Sequence, residues 1–463
     1  MVREKQISRG ALAPPLPHSD LGYHRSAPGR ATDRMLHAAH ARWLREQLPT
    51  LVAAGVLDEG AARRLEAHYA RGEGAGARAV VLLFGTLGAL FVGGGVILLL
   101  AHNWEQLGRP VRTAFSIAPL LISWALAALV LARENRREAW GEAVGAFWTL
   151  AIGASISLVA QTYHLPGDWT AFLLTWLLLA IPVVYLLESV SAAVLCCLGL
   201  GTWTLSTAFD SRSALLFWPL LLLLLPFAWR RLRAAPDTAG TELLGWALAL
   251  AVAFGTLPSF HHLDEVIWGP LLATVTLALW GLAVLAQPRR WERPFRIVGG
   301  LGFLGTAFVL SFGDAWSSIS RGDVPAAGIE LVVEGIVLAV VLLASGWLLA
   351  NAARRRGREA IPLVAGPPAL WLALLVARLA GEEAAAVVVN VYLLALGVAL
   401  LAQGMRDESL RRANLGTAVL GLLILFRFFD TDWGFLVRGS AFIAVGLAFL
   451  FVNLRLLRRR AAA

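Results

Sequence analysis

Two polar stretches end apolar runs early in the chain, and both carry side chains suited to binding an anion. In the first, AHNWEQLGRPVR, the residues His102, Asn103 and Trp104 precede Arg109 and Arg112. A pair of arginines presents planar forks of N–H donors that match a phosphate or a carboxylate. The stretch therefore predicts one wall of a substrate-binding site, and ordinary helix caps at a membrane surface are the alternative.

The second stretch, AQTYHLPGDW, carries Gln161, Tyr163, His164 and Asp168. Its Pro-Gly pair predicts a tight turn. If the apolar helices that end in the two stretches are neighbours, both stretches converge on one polar site; capping and interface roles remain the other interpretation. The spacing of His and acidic residues matches no metal-ligand motif. We therefore expect no metal and no cofactor.

Two carboxylates fall inside an apolar run. Glu330 and Glu334 are four residues apart and share one face of a helix. A carboxylate within a bilayer is costly, so it pairs with a cation, takes up a proton or lines a wet path. Arg427 and Arg438 are the candidate partners. Proton coupling and a structural ion pair both fit this pattern, and Asn390 predicts a hydrogen bond between helices.

The composition indicates which elements must position these residues. The chain has 463 residues, of which 58% are hydrophobic and 15% charged, and its mean hydropathy is +0.68. Soluble domains are typically about 25% charged. Apolar blocks of about 20 residues are the length that a bilayer requires of a helix. We therefore predict an all-α, polytopic integral membrane protein with about fourteen transmembrane helices. The predicted spans cover residues 79–101, 112–132, 142–161, 170–187, 190–208, 213–229, 241–259, 266–286, 296–312, 329–350, 361–379, 384–403, 413–429 and 435–453.

The arginines predict the orientation of these spans. With a cytoplasmic N-terminus, the connections on the inner side and the C-terminal tail hold twenty-one arginines, against seven on or near the outer side. This asymmetry follows the positive-inside rule. It predicts cytoplasmic N- and C-termini and places both polar stretches outside. The net charge of +9 lies in these short clusters, so we do not expect nucleic-acid binding.

Four tryptophans fall at the predicted outer boundary. Trp104, Trp169, Trp316 and Trp433 each lie near an acidic residue. Indole rings favour the headgroup region of a bilayer. The pattern predicts an aromatic belt, and stacking on a ligand is the alternative.

The rest of the chain divides by composition. Residues 1–33 contain no apolar core of a signal peptide and predict a disordered lead. Residues 34–78 predict an amphipathic, cytoplasmic helical segment in which Asp58 caps a helix. Residues 79–210 hold the first membrane helices, and residues 211–463 hold the remaining helices and a basic tail.

The chain resembles the bacterial predicted-membrane-protein family called domain of unknown function 2157. The resemblance rests on WLREQLPTLVAAGVLDEGAARRLEAHYA, GGGVILLLAHNWEQLGRPVR and GASISLVAQTYHLPGDW, and it covers about residues 40–205. It implies a multi-pass protein of the bacterial inner membrane and implies no particular activity. It directs attention to His102, Asn103, Trp104, Gln161, Tyr163, His164, Gly167 and Asp168.

These features favour a transporter or a lipid flippase. Short loops, many spans and no phosphate loop or nucleophile elbow predict translocation rather than enzymatic catalysis. The outer polar site would receive an anionic or lipid-linked substrate. The alternative is a non-transporting scaffold or sensor of the lipid bilayer, in which residues 34–72 dock a cytoplasmic protein and outer histidines report pH.

Overall fold

A computed structural model gives the architecture of two units, Met1–Gln106 and Leu107–Ala463. The structure describes residues 48–62, 104–133, 138–209, 214–260, 263, 265–286, 290–321 and 328–430, together with positions 439, 440, 443, 446 and 447. Several predicted features lie outside the described residues, namely the lead 1–33, most of segment 34–78, and the spans 79–101 and 435–453.

In the first unit, residues 48–62 form two short helical segments joined by a turn. The first covers residues 48–53, and the second begins at residue 59. Gly55 lies in the turn with a φ of +72°, a left-handed conformation that glycine adopts at little cost. The Asp58 carboxylate accepts a hydrogen bond from the Ala61 N–H and caps the second helix. The predicted N-cap is confirmed.

The second unit contains twelve helices of at least fifteen residues in its described part. The first six are α1 Arg109–Ala132, α2 Glu138–Tyr163, α3 Trp169–Leu187, α4 Val190–Phe209, α5 Phe217–Ala234 and α6 Ala239–Gly255. The others are α7 Trp268–Leu285, α8 Glu292–Val309, α9 Ile329–Arg356, α10 Gly366–Ala380, α11 Glu382–Arg406 and α12 Leu410–Asp430. Short helical turns join them at Leu257–Phe260, Glu265–Ile267, Gly313–Arg321, Gly357–Glu359 and Ile361–Val364.

Nine of the helices in the described part are long and apolar enough to cross a membrane. They are α1 to α4, α6, α7 and α9 to α11, some of them extended by an adjoining short turn. Helices α5, α8 and α12 also coincide with predicted spans, and each carries arginines within its bounds. The all-helical membrane architecture is therefore confirmed. The predicted total of fourteen spans stays a prediction, because two of them lie beyond the described residues and three others, α5, α8 and α12, are not among the nine.

Large apolar side chains cover much of the outside of this unit. On α9, Leu343 and Trp347 are 75% and 64% exposed. On α1 and α3, Leu121 and Leu178 are about half exposed. In a water-soluble protein such a surface would be an interaction site, whereas on helices of membrane-spanning length it is the surface that lipid chains cover.

Two large apolar cores and a smaller cluster of Phe260, Leu271 and Val275 hold the described helices together, and each large core forms mainly within one part of the sequence. Leu177, Cys196 and Leu244 belong to a core built mainly from α1 to α6. Phe303 and Leu393 belong to a second core built from α7 to α12. Helices that follow one another in the chain pack closely, most of all α7 on α8, α11 on α12 and α1 on α2.

Glycine permits the closest of these helix approaches. A Cβ atom at Gly299 of α8 would lie 2.5 Å from the Trp280 backbone nitrogen and 2.6 Å from the Thr276 carbonyl oxygen of α7. On α11, a Cβ atom at Gly404 would overlap the backbone of Ala413 on α12. Without a side chain at these positions, the two backbones come into van der Waals contact, as in many membrane helix pairs.

Contacts between helix ends join residues that the sequence places on the same side of the membrane. On the predicted inner side, the Arg293 guanidinium lies 3.9 Å from the Glu242 carboxylate. On the predicted outer side, the Ala214 N–H donates to the Pro258 carbonyl at 3.2 Å. Both contacts agree with the predicted directions of α5, α6 and α8, and the directions of the other helices and the assignment of the inner side stay predictions.

Candidate functional site

The arginine-bearing end of the first polar stretch and Tyr163 of the second lie where α1 begins and α2 ends. The Thr113 and Tyr163 hydroxyl oxygens, which are 2.9 Å apart, share a hydrogen bond between the two helices. Arg109 and Arg112 lie on the first turn of α1, and the Arg112 Nε donates to the Leu107 carbonyl at 2.8 Å. The structure therefore brings the arginine pair and Tyr163 to the same end of one helix pair.

The remaining residues of the second stretch shape the turn between α2 and α3. His164 has a φ of +53°, so the residue that follows α2 is in the left-handed conformation. The Leu165 N–H donates to the Ala160 carbonyl, the hydrogen bond typical of a helix that ends in this way. The Asp168 carboxylate accepts from the Ala171 N–H and the Thr170 hydroxyl and caps α3. This geometry gives Asp168 the capping role that the sequence left open.

The side chains around this turn are open to the surroundings. Gln161, Tyr163 and His164 are all exposed. Trp104 belongs to the short helix Trp104–Gln106 of the first unit. His102 and Asn103 lie outside the described residues, so a site that combines all the predicted residues stays a prediction.

The predicted carboxylate pair lies on the first two turns of α9. Glu334 is completely buried, with 0% of its surface exposed. Val337 and Leu338, one turn further along, pack against the cluster that contains Phe260. The side chain of Glu330 is not among the described ones. A carboxylate is thus enclosed by protein within a membrane-spanning helix, where its charge is costly.

Arg427, one of the two predicted partners of Glu334, belongs to α12, and its side chain reaches the C-terminal end of α8. Its guanidinium donates to the Ser311 carbonyl at 2.9 Å and lies 4.6 Å from the centre of the Phe312 ring. A cation at a helix C-terminus is stabilised by the unpaired carbonyls there. Arg438, the other predicted partner, is outside the described residues. The ion pair with Glu334 stays a prediction.

Asn390 reaches the same carbonyl from α11. Its Nδ2 donates to the Ser311 carbonyl at 2.9 Å, which confirms the predicted hydrogen bond between helices. Ser311 is itself buried. The C-terminus of α8 is therefore held by side chains from two neighbouring helices.

A large groove lies between α8 and α12, and the sequence analysis missed it. Its volume is about 820 Å³. The lining side chains recur every three or four residues along both helices, and nearly all are apolar. They are Leu301, Leu304, Gly305, Phe308, Val309, Phe312, Asp314, Ala315, Leu415, Ala418, Val419, Leu422 and Phe426. We call this the α8–α12 groove. Apolar stripes on membrane helices also arise on plain lipid-facing surfaces, so the sequence carried no distinct signal for it.

The groove opens along the side of the helices. Leu301 and Val309 are 68% and 61% exposed. Gly305, between them on the same face of α8, also lines the groove, and a Cβ atom added there would meet no atom within 4 Å. An elongated apolar group therefore has direct access to the groove from the surrounding lipid.

Charged groups collect at the predicted outer end of the α8–α12 groove. Asp314 lines the groove there, and its side chain is exposed. A Cβ atom at Gly313 would lie 2.8 Å from a Glu383 carboxylate oxygen, so this second carboxylate lies against the same turn. The Arg427 guanidinium lies 4.6 Å from the centre of the Phe312 ring, which lines the groove. The groove is therefore lined by apolar side chains along most of its length and by a carboxylate at one end.

One tryptophan of the predicted outer belt is in the interior. Trp316 is 1% exposed, and its Nε1 donates to the Leu310 carbonyl at 2.9 Å. The belt assignment is therefore wrong for Trp316, because the turn after α8 folds back and buries the ring. Trp169 is 58% exposed, and Trp433 is outside the described residues.

The comparisons with known proteins give one match. The family described as predicted membrane protein (DUF2157) matches residues 49–193, a range that includes Glu142 and the turn from Tyr163 to Asp168. The α8–α12 groove and Glu334 lie beyond it. No curated protein and no solved structure matches the chain. The resemblance seen in the sequence is confirmed: over residues 49–193 the chain matches the DUF2157 family of predicted membrane proteins.

Proposed function

We propose that this membrane protein is a lipid flippase, a transporter that moves an amphipathic, lipid-linked substrate across a bacterial inner membrane. The observation that supports the proposal is the α8–α12 groove, which is apolar along its length and charged at one end. A lipid needs both environments at once, because its chains are excluded from water and its headgroup is costly to bring into hydrocarbon.

The lateral opening of the groove suits this substrate. A soluble solute enters a transporter through a water-filled mouth, whereas the chains of a lipid can stay in the bilayer while its headgroup moves along the protein. Leu422 on α12, which is 41% exposed, and Leu301 on α8 flank such an opening. The headgroup would move past them while helix bundles rock between inward and outward access.

Glu334 provides a candidate site for energy coupling in this proposal. It is buried within α9, and carboxylates inside membrane helices often form part of proton relays in transporters. Uptake and release of the proton on opposite sides would couple lipid movement to a proton gradient. Arg109, Arg112 and Tyr163 would form a second, outward-facing polar surface that meets anionic headgroups.

The test is a leaflet-exchange assay with the purified protein in liposomes. A phospholipid with a fluorescent acyl chain is quenched by dithionite only in the outer leaflet, so quenching beyond that fraction measures flipping. We expect the wild-type protein to flip the lipid. Gly305→Leu, which fills the groove, should slow flipping by about tenfold or more, equivalent to about 1.4 kcal/mol in activation free energy.

Two further variants make the assay specific. Gly346→Leu on α9 is the matched control, because a Cβ atom there also meets nothing within 4 Å and the residue is not among those lining the groove. Glu334→Gln should remove the response of flipping to an imposed pH gradient. Exchange no faster than in protein-free liposomes would contradict the proposal and favour a non-transporting scaffold or sensor.

A further inference from the structure

We infer that the C-terminal end of α5, on the predicted inner side, binds the headgroup of an anionic phospholipid of the phosphatidylglycerol type through Arg230 and Arg233. Helix α5 does not line the α8–α12 groove. The inference goes beyond the proposed function and does not depend on it, because a non-transporting scaffold would hold the same lipid. The reasons are the way in which aromatic rings position the two guanidinium groups and the apolar stripe that leads to them.

Aromatic rings hold both guanidinium groups in place. The Arg233 guanidinium lies 4.2 Å from the centre of the ring of Trp229, which is one turn earlier on the same helix. The Arg230 guanidinium lies 5.7 Å from the centre of the Tyr185 ring on α3. The Tyr185 hydroxyl donates to the Leu223 carbonyl, which keeps this ring against α5. Both cations are therefore positioned by contacts within the protein.

The same two guanidinium groups are open to a ligand. Arg230 and Arg233 are exposed, and no ion pair joins either of them to another of the described residues. Arginine binds phosphate through pairs of parallel N–H donors. A phosphodiester therefore matches this end of α5 in charge and in hydrogen-bonding groups.

The carboxylates at this end do not balance the positive charge. Glu188, directly after α3, is exposed, and Asp237, in the connection after α5, accepts from the Arg290 N–H at 3.3 Å. The end of α5 itself carries three arginines within residues 230–233. Positive charge is therefore in excess among the described residues, which favours a headgroup with a net negative charge over a zwitterionic one.

An exposed apolar stripe on α5 leads to the arginines. Leu222, Leu225 and Trp229 are all exposed, and their spacing of three and four residues places them on one helix face, which Arg233 continues. Leu222 lies about 10 Å from Trp229 along the helix axis, at about 1.5 Å per residue. Indole rings favour the headgroup region, so acyl chains can lie along the leucines while a phosphate contacts Arg233. A free phosphate ion would gain nothing from this stripe, so the surface favours a lipid.

The experiment measures lipid retention by the full-length protein purified in detergent. Native mass spectrometry would count phosphatidylglycerol and phosphatidylethanolamine molecules that remain bound after equal additions. We expect phosphatidylglycerol to be retained in preference. Arg233→Gln should reduce this preference about fivefold, the contribution of one arginine near an anionic surface, and Arg230→Gln should act in the same direction. Arg411→Gln, which removes an exposed arginine at the predicted inner end of α12, should leave the preference unchanged.

The role of the rings is tested by a variant that keeps every charge. Trp229→Leu removes the ring that positions Arg233, so the preference should fall about two- to fivefold, the range of an exposed contact between a cation and a ring. Trp347→Leu on α9 is the matched control and should have no effect. Trp347 is also exposed, and no guanidinium lies over its ring among the described residues.

Four results would overturn the inference. The first is equal retention of the two lipids by the wild-type protein. The second is an equal loss of preference in Arg411→Gln and Arg233→Gln, because any surface arginine would then suffice. The third is displacement of phosphatidylglycerol by an equal concentration of inorganic phosphate, which would identify a site for a free anion. The fourth is loss of the preference in Gly305→Leu, which would place the lipid in the α8–α12 groove. Absence of leaflet exchange, in contrast, would remove the flippase assignment and leave this lipid site standing.

Discussion

Two acidic side chains accept hydrogen bonds at the N-terminal ends of helices, one from its own helix and one from a helix far along the chain. Asp168 caps its own helix, α3. Glu142, on α2, instead accepts from the Val190 N–H at 3.0 Å, the Ser191 N–H at 2.7 Å and the Ser189 hydroxyl at 3.1 Å. The first N–H groups of a helix have no partner within it, and the helix dipole favours an anion there. Glu142 therefore joins α2 to the start of α4.

Removal of this carboxylate should destabilise the first helical core. Glu142→Ala leaves backbone N–H groups of α4 without their acceptor, so we expect the free energy of unfolding to fall by about 1–3 kcal/mol. Titration with sodium dodecyl sulfate in mixed micelles measures the change. Glu188→Ala is the control: Glu188 is exposed at the same junction, and its loss should cost less than about 0.5 kcal/mol. Equal losses for both variants would refute the capping role.

Residues with local partners were predictable from the sequence, and residues with distant partners were not. The Asp58 cap follows from its position directly before a helical pattern. The role of Glu142 depends on residues 47 to 49 positions away, and no periodicity reports that distance. The error at Trp316 has the same origin, because its burial depends on how the turn after α8 folds back.

At the scale of helices, one glycine-rich segment of α8 serves two different purposes. Gly299 and Gly302 face α7, where a Cβ atom would meet Trp280 or Thr276. Gly305 faces the open α8–α12 groove. The sequence shows only that these residues are glycines. Which of them allows a close helix contact depends on where the neighbouring helices lie.

This difference can be tested within a single helix. Gly299→Ala places a Cβ atom against the backbone of α7, and overpacking of this kind should reduce stability by about 1–3 kcal/mol. Gly300→Ala meets no atom within 4 Å and should be neutral or raise stability by up to about 1 kcal/mol, because alanine favours helix over glycine. Thermal unfolding of the two variants in the same detergent checks the order. A larger loss for Gly300→Ala would show that α7 and α8 do not pack as described.

At the scale of the whole molecule, the length of the apolar blocks predicted twelve of the described helices. Lipid requires a minimum span and satisfied backbone groups, so hydrophobicity along the chain reports these elements directly. The α8–α12 groove could not be predicted from the sequence, because it depends on the separation between two helices. Residues 49–193 match a family, whereas the groove, Glu334 and Arg427 all fall beyond that range.

The alternation of the helices makes a prediction about sidedness. Six helices, α3 to α8, separate His164 from Asp314, so both should lie on one side, and the arginine distribution places that side outside the cell. Glu188 and Glu408 should lie inside. A membrane-impermeant maleimide should therefore label His164→Cys and Asp314→Cys in intact cells, and label Glu188→Cys and Glu408→Cys only after permeabilisation.

The natural cysteines give little background in this experiment, since Cys196 and Cys197 are 0% and 1% exposed. Different accessibility at His164→Cys and Asp314→Cys would mean that one of the intervening helices does not cross the membrane. Labelling of both only after permeabilisation would keep the helix count and reverse the orientation. In that case the charged end of the α8–α12 groove would face the cytoplasm, and the flippase would meet its headgroup in the inner leaflet first.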